Sequence, residues 1–414
     1  MKIKPMIVVG GGASGLVAAI LIAREDISVT LLEQNSKVGK KILVSGNGKC
    51  NIGNQNIVPS RYHSQNPHFI KEALMGYGSE EIKDIFESMG LPLIEGEGGR
   101  LFPMGLQAST VVEVLVYEAK RAGVEITCDC SVEAIDRAEY GFTLQTTQGE
   151  RSCNRLLLAS GSPAAPQLGG CFGGLKMVAS LGHRLIPSHP SLVQLCSDEE
   201  WVKKASGVKI EAVVKLYANS DYITQKRGDI LFANYGISGL AILDISHEVS
   251  WRLSEFAYCQ LSLDITPRQS REQLINLLVH QIDPDSSKPL TLWLQGITNK
   301  RLVPIIIEQS KCRAKTEKEL NRKEIGKLVY VLKNLKLPIS ATRGFEGAEV
   351  AMGGVDTREI NSQTMESKMI KNIYIAGEML DVDGDRGGFN FHFAWTSGIR
   401  AAKAIITEIR STSH

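Results

Sequence analysis

Met6-Ile7-Val8-Val9-Gly10-Gly11-Gly12-Ala13-Ser14-Gly15-Leu16 decides the fold. The four apolar residues suit a buried parallel strand. Gly10, Gly12 and Gly15 fall on the GxGxxG positions. The first permits the tight turn, the second lets backbone approach a pyrophosphate, and the third permits close helix–strand packing. Residues 16–23 are apolar and small, as a helix lying on a sheet requires, and its first amides, near Ala13 and Ser14, would point at phosphates. Residues 28–32 are β-rich, so the segment reads as one βαβ unit. Glu33, with Gln34 beside it, ends the second strand where a carboxylate bonds adenosine ribose hydroxyls. An acid at that point disfavours a 2′-phosphate. FAD and NAD share the fingerprint, so the loop does not choose between them.

Asn372-Ile373-Tyr374-Ile375-Ala376-Gly377-Glu378 makes the choice. A short apolar strand ends in Gly-acid near the C-terminus, where two-dinucleotide flavoproteins set backbone and a carboxylate along the ribityl chain. Gly387-Gly388-Phe389-Asn390 then opens a small-residue helix over 394–409. Its N-terminal dipole would face the flavin N1/C2=O edge and stabilise negative charge there. A third constellation runs from Lys41 through Ser45-Gly46-Asn47-Gly48-Lys49-Cys50-Asn51, a loop able to contact pyrophosphate or isoalloxazine. Cys50 has no second cysteine nearby, so a positioning role is expected over redox chemistry. Gly161 ends a further strand, 155–159. FAD, bound non-covalently, is the expected cofactor.

The 414 residues carry a net charge of +2, from 47 basic and 45 acidic side chains, which makes no electrostatic case for nucleic acid or anionic membrane. The eight cysteines form no CxxC pair, which argues against zinc and for reduced thiols in a cytoplasmic protein. Lys2 and Lys4 before an apolar run resemble a signal peptide, but the glycines at 10–12 argue against one, and no run of apolar residues is long enough to span a membrane.

The expected fold class is α/β: a Rossmann-like FAD-binding domain with an inserted β-barrel-like domain and a small helical subdomain. The domains read as 1–188, FAD-binding; 189–266, inserted β; 267–337, helical; 338–355, the returning β strand; and 356–414, FAD-binding again. Residues 35–110 read as loop-rich, with a helix at 110–121 capped by Ser109 or Thr110.

Further stretches sharpen this. Gly99-Arg100-Leu101-Phe102-Pro103, Tyr235-Gly236-Ile237-Ser238-Gly239, Thr342-Arg343-Gly344-Phe345, Gly353-Gly354-Val355, Thr364-Met365-Glu366-Ser367-Lys368 and Gly377 through Asn390 follow the first motifs in order. Together the chain resembles the BaiN/aminoacetone-oxidase-like family of bacterial flavoproteins, also called NAD(P)/FAD-dependent oxidoreductases. The resemblance covers nearly the whole chain and implies non-covalent FAD and the three-part organisation above. Lys49 stands where the family has Arg, Ser160 and Ser162 flank Gly161 where it has Thr and Gly, and Phe391-His392-Phe393 replaces its usual stretch, so substrate identity does not carry over.

Near the ring, Arg100 is a candidate anchor for an acidic group, with an ordinary ion-paired arginine as the alternative. His392 is a candidate proton donor, with a structural histidine as the alternative. Asp381, beside the cofactor turn, joins Asp383 and Asp385 in a pattern that fits no EF-hand; a solvated turn and no metal are expected. The leading function is hydride transfer between flavin and a small organic substrate, by enone reduction or amine oxidation. No second GxGxxG is present, so NAD(P)H would visit only transiently. A flavin-dependent RNA-modifying enzyme and a non-catalytic flavin-binding protein are the alternatives; no membrane or nucleic-acid partner is expected.

Overall fold

The computed structural model describes residues 5–412. Among the described residues two compact units emerge, 5–188 with 350–412, and 189–349. Each has its own hydrophobic core.

The first unit is built on a parallel sheet in the order Ile373–Ile375, Leu156–Leu158, Met6–Val9, Val29–Leu32, Glu125–Thr127. Val9 registers with Leu32 on one side and Leu158 on the other, and Leu158 with Ile375. Gly10, Glu33, Ser160 and Gly377, which follow these strands within two residues, therefore gather along one carboxyl edge, where open α/β sheets bind ligands. A strand from the C-terminal end completes a sheet begun at the N-terminus, so the unit needs both.

Helix Ala13–Ala23 is buried along most of its length because it lies between this sheet and the C-terminal helix, Phe389–Thr412. Gly398 permits that approach: a β-carbon there would fall inside contact distance of the Ser14 carbonyl oxygen. The C-terminal helix starts five residues before the expected 394, directly after Gly388, whose φ of +101° ends the preceding turn. The helix near 110 runs from Ala108 to Arg121 with Gln107 at its cap and no side-chain cap bond, so neither Ser109 nor Thr110 caps it.

The loop-rich reading of 35–110 needs correction. Pro67–Leu74 and Ser79–Glu87 are helices. Their apolar faces are narrow: Phe69, Ile70, Ala73 and Leu74 on one, Ile82 and Phe86 on the other. Two turns of amphipathic spacing among polar residues leave little periodic signal.

The second unit holds a seven-stranded antiparallel sheet, from Leu335–Ile339 at one edge, through Cys259–Asp264, Lys209–Ala218, Asp221–Ala233, Gly236–Ser238 and Leu195–Cys196, to Ala341–Thr342 at the other. Only Ser340 separates the two edge strands, so the sheet must curl until its edges meet, and the insert is barrel-like. Leu240–Ser254 is a helix inside a stretch read as β. Its buried positions, Ala241, Ile242, Ile245, Ser246, Val249 and Ser250, have helical spacing, but β-branched residues mask it. Helices Arg271–His280, Leu290–Gln295, Val303–Ser310 and Arg322–Lys333 follow. Val350–Val355, grouped with the insert by sequence, pairs with Leu185–Ser191 and falls in the first unit. Among the described residues no helix is long and apolar enough to cross a membrane.

Candidate functional site

The glycines of the first loop differ in what they accommodate. A β-carbon on Gly10 would collide with the Ala159 carbonyl, and one on Gly15 with the Gly10 carbonyl oxygen. Those two are glycine for packing. Gly12 has φ −82° and ψ −166°, which any residue adopts, and a β-carbon there meets nothing within 4 Å. Neither backbone nor protein packing demands glycine at that point, which leaves room for a ligand at the start of helix Ala13–Ala23. No side chain caps that helix, and its first turn carries no acid, so its positive end is left for an anion.

Glu33 is buried at the end of the second strand. Its Oε2 accepts the Gly11 N–H at 2.8 Å; its Oε1 accepts the Asn35 N–H at 2.8 Å and the Asn35 amide at 2.6 Å. Lys40 Nζ donates to Asn35 Oδ1 at 2.8 Å. The carboxylate is thus fixed and still has lone pairs for further donors. Gln34 Nε2 donates to the Gly169 carbonyl at 2.6 Å, tying the strand end to the next loop.

Across the same edge, Glu378 Oε2 accepts from Lys41 Nζ at 2.7 Å and from the Ser162 hydroxyl at 2.8 Å. Both ends of the ion pair are partly exposed, at 28% and 21%, so the pair faces open space. Gly377, with φ +70°, donates its N–H to Ser397 Oγ at 2.9 Å and lies against Ser14. Gly48 and Gly161, both near φ +80°, likewise border open space. Gly46, Gly48 and Lys49 are exposed, and Ser45 Oγ donates to the Ile42 carbonyl at 2.8 Å. Gly11, Asn35, Ser162 and Ser397, none of them named as a site residue from the sequence, complete this arrangement. Gly11 sits inside the motif, but the other three act from polar positions with no pattern of their own.

Several candidates are displaced by the geometry. Cys50 is fully enclosed, and burial pushes its thiol up to about 11. It offers neither a thiolate nor an exposed surface to a cofactor. The described cysteines form no disulfide. Phe389 is also enclosed; its ring stands edge-on to Tyr62 at 5.8 Å under the Arg61 guanidinium. Asn390 spends both ends of its amide on the Gly384 backbone, at 2.8 and 2.7 Å. Asn51 Oδ1 is buried without a partner, close to where a β-carbon on Gly388 would sit.

Asp381 is not in a solvated turn. It is buried, accepts the Gln65 N–H at 2.9 Å and the Ser64 hydroxyl at 3.3 Å, and burial raises its carboxyl above the usual range. Asp383 is buried too, and Asp385 bonds Arg61 Nε at 2.6 Å. No group of three acid, histidine or cysteine side chains among the described residues could hold a metal. Arg100 donates Nε to the Glu97 carbonyl at 2.8 Å and faces that residue's carboxylate, so it is tied into its own turn as an ordinary ion-paired arginine.

His392 cannot be the proton donor. It is fully buried, its Nε2 donates to the Tyr77 carbonyl at 2.9 Å, and Nδ1 is buried with no partner. Burial lowers its pKa from 6.5 to about 4. The imidazole is therefore neutral in the folded protein. Between about pH 6.5 and 4 the unfolded chain binds the proton that the native one refuses. This group's stability is complete above the window and lost as pH falls through it, by ~3 kcal/mol. His392→Gln, which keeps a donor for Tyr77 but does not titrate, should flatten that fall in urea titrations across the window. Superimposable pH profiles for the two proteins would refute the assignment.

The chain matches the family described as HI0933-like protein Rossmann domain over residues 4–404. It belongs to that family. Similar proteins span nearly the same length. A 3-dehydro-bile acid delta(4,6)-reductase of Clostridium scindens is 34% identical over 96% of this chain and 98% of its own. A ribosomal RNA dihydrouridine synthase of Haemophilus influenzae is 33% identical over 96% and 98%, and one of Escherichia coli 31% over 97% of each. Among solved structures, the 3-ketosteroid delta1-dehydrogenase of Sterolibacterium denitrificans superposes with a TM-score of 0.51 at 12% identity, over 99% of this chain and 100% of that one, a likeness of fold alone. The chain is an FAD-dependent oxidoreductase. The expected absence of a nucleic-acid partner loses its footing, because two relatives are named for a reaction on ribosomal RNA.

Proposed function

We propose that the chain reduces a carbon–carbon double bond conjugated to a carbonyl. The relatives carry this reading. A 3-oxo-4,6-diene and a uracil ring differ greatly in shape, yet each presents a double bond conjugated to C=O, whose β-carbon accepts hydride. FAD, once bound and reduced by a nicotinamide nucleotide, would supply that hydride, and the α-carbon would take a proton from solvent. The chain's own part is to hold the cofactor. The amides at the start of helix Ala13–Ala23 would face the pyrophosphate across Gly12, and Glu33 the adenosine ribose. The Lys41–Glu378–Ser162 group would hold the ribityl chain, the 45–48 loop and Gly161 would border the ring system, and the start of the C-terminal helix would favour negative charge at the N1/C2=O edge. The electron donor in this reading is a nicotinamide nucleotide that visits transiently, since the chain has no second GxGxxG.

Anaerobic mixing tests the proposal. NADH or NADPH should bleach the flavin, and cyclohexenone or a 4-ene-3-ketosteroid should restore its absorbance. If neither enone reoxidises reduced flavin faster than buffer does, the small-molecule reading fails. Glu378→Gln keeps an acceptor for Ser162 but removes the charge opposite Lys41; FAD should bind about ten-fold more weakly, as loss of a charged hydrogen bond implies. Unchanged affinity in a flavin-fluorescence titration would remove Glu378 from the cofactor site.

A second reading, uracil in ribosomal RNA as the substrate, draws on the two synthases, whose identity nearly equals that of the bile-acid enzyme. Reoxidation of reduced flavin by a uridine-containing ribosomal RNA fragment, but not by enones, would select it.

A further inference from the structure

We propose that the turn between helices Val303–Ser310 and Arg322–Lys333 docks the phosphate backbone of RNA. The proposal rests on the second reading above and concerns a surface of the insert. Charge is distributed unevenly along the chain. Residues 299–336 hold eleven lysines and arginines against four glutamates, a surplus of seven, while the entire chain nets +2. The balanced total therefore hides one basic segment.

The fold sharpens that surplus by spending three of the four acids on internal bonds; the fourth, Glu308, is exposed. Glu317 is buried, pairs with Lys288 at 3.1 Å and accepts the Asp283 N–H at 3.3 Å. Glu319 accepts the Lys315 N–H and the Thr316 hydroxyl, both at 2.9 Å. Glu324 accepts Lys327 Nζ at 2.6 Å and the Arg313 N–H at 2.9 Å, and these bonds hold its carboxyl down at about 2. The acids fix the turn's backbone. The ammonium and guanidinium groups of Lys311, Arg313, Lys315, Lys318 and Lys323 are exposed, and none of them makes an ion pair among the described residues. Lys318 reaches only the Ser287 hydroxyl, at 3.4 Å.

A rigid turn that points unpaired cations outward fits a polyanion, whose binding releases condensed counterions. An anionic membrane fits less well. Between 311 and 323 the apolar residues Ala314 and Leu320 are buried, and no large apolar side chain is exposed to enter the lipid interface.

The test uses the full-length, FAD-loaded protein and a fluorescein-labelled, uridine-containing ribosomal RNA hairpin, followed by anisotropy across a salt series. Combining Lys311→Gln, Arg313→Gln, Lys315→Gln and Lys318→Gln should weaken binding at least ten-fold, roughly, and make the slope of log K against log salt shallower by about 3. The matched charge change at exposed sites of the first unit, Lys71→Gln, Lys120→Gln, Arg137→Gln and Lys176→Gln, should leave affinity within about two-fold. Equal weakening by both sets, no RNA binding by the wild-type protein, or binding only to phosphatidylglycerol vesicles each overturns the proposal. FAD content and melting temperature should be the same in both variants. RNA that docks on this turn and is never reduced supports the surface and removes the second reading alone.

Discussion

Gly12→Val should give a folded, colourless protein. The backbone at Gly12 is already extended, a conformation valine prefers, and an added β-carbon meets no protein atom within 4 Å. The apo fold therefore has no steric reason to suffer. The isopropyl group projects instead into the space at the start of helix Ala13–Ala23, where the pyrophosphate must approach backbone within hydrogen-bond distance. FAD affinity should fall at least about a hundred-fold, ~2.7 kcal/mol. Gly15→Ala provides the contrast: its methyl would strike the Gly10 carbonyl oxygen, so strand and helix separate and both fold and binding are lost. The checks are flavin absorbance after purification, FAD titration of the apoprotein, and thermal melts of both variants. Full FAD occupancy in Gly12→Val would contradict the assigned position of the pyrophosphate, and a large loss of apo stability would contradict the steric argument.

The contrast between Gly12 and Gly15 also shows how far sequence could reach. The GxGxxG pattern with Glu33 specified a strand, a turn, a helix and a second strand because each glycine has a separate geometric reason. Residues 372–376 were legible as a strand, which forms over Ile373–Ile375, since an apolar run ending in Gly-acid leaves few alternatives. Side-chain direction was not legible. Phe389, His392 and Phe393 follow the glycine turn in sequence, but positions three and four apart share one helix face. That face is turned into the protein, so all three are buried. Cys50 and Asp381 failed for the same reason: a glycine-rich neighbourhood fixes the backbone path, while packing decides which side chains meet open space. Conversely, Ser162 bonds Glu378 and Ser397 bonds Gly377 through single hydroxyls that no spacing rule marks.

Arg400→Ala should produce the largest loss of stability of any single polar truncation in the first unit. Arg400 is buried in the C-terminal helix, and its guanidinium collects backbone carbonyls at the end of helix Pro67–Leu74. Nε donates to the Ala73 carbonyl at 2.7 Å, and Nη2 donates to those of Glu72 and Met75. Nη1 donates to Gln363 Oε1 at 2.8 Å, and the group lies 4.6 Å over the Tyr77 ring. A cation at a helix C-terminus is favoured by the dipole and by the unpaired carbonyls there. Truncation would leave those carbonyls buried and unsatisfied at ~1–3 kcal/mol each, partly relieved by relaxation, for a net loss of ~4 kcal/mol. The corresponding drop in Tm is about 10 °C. Arg400→Lys should recover less than half, because an ammonium cannot present the planar fork that spans these acceptors. The effect should extend toward the cofactor. Arg400 anchors the segment after Leu74; the Tyr77 carbonyl in that segment holds His392, and His392 Nδ1 packs against Gly53 beside Gly388. Flavin release on heating should therefore move down with the unfolding transition. A loss below ~1 kcal/mol would mean that water satisfies the carbonyls as well as the arginine does.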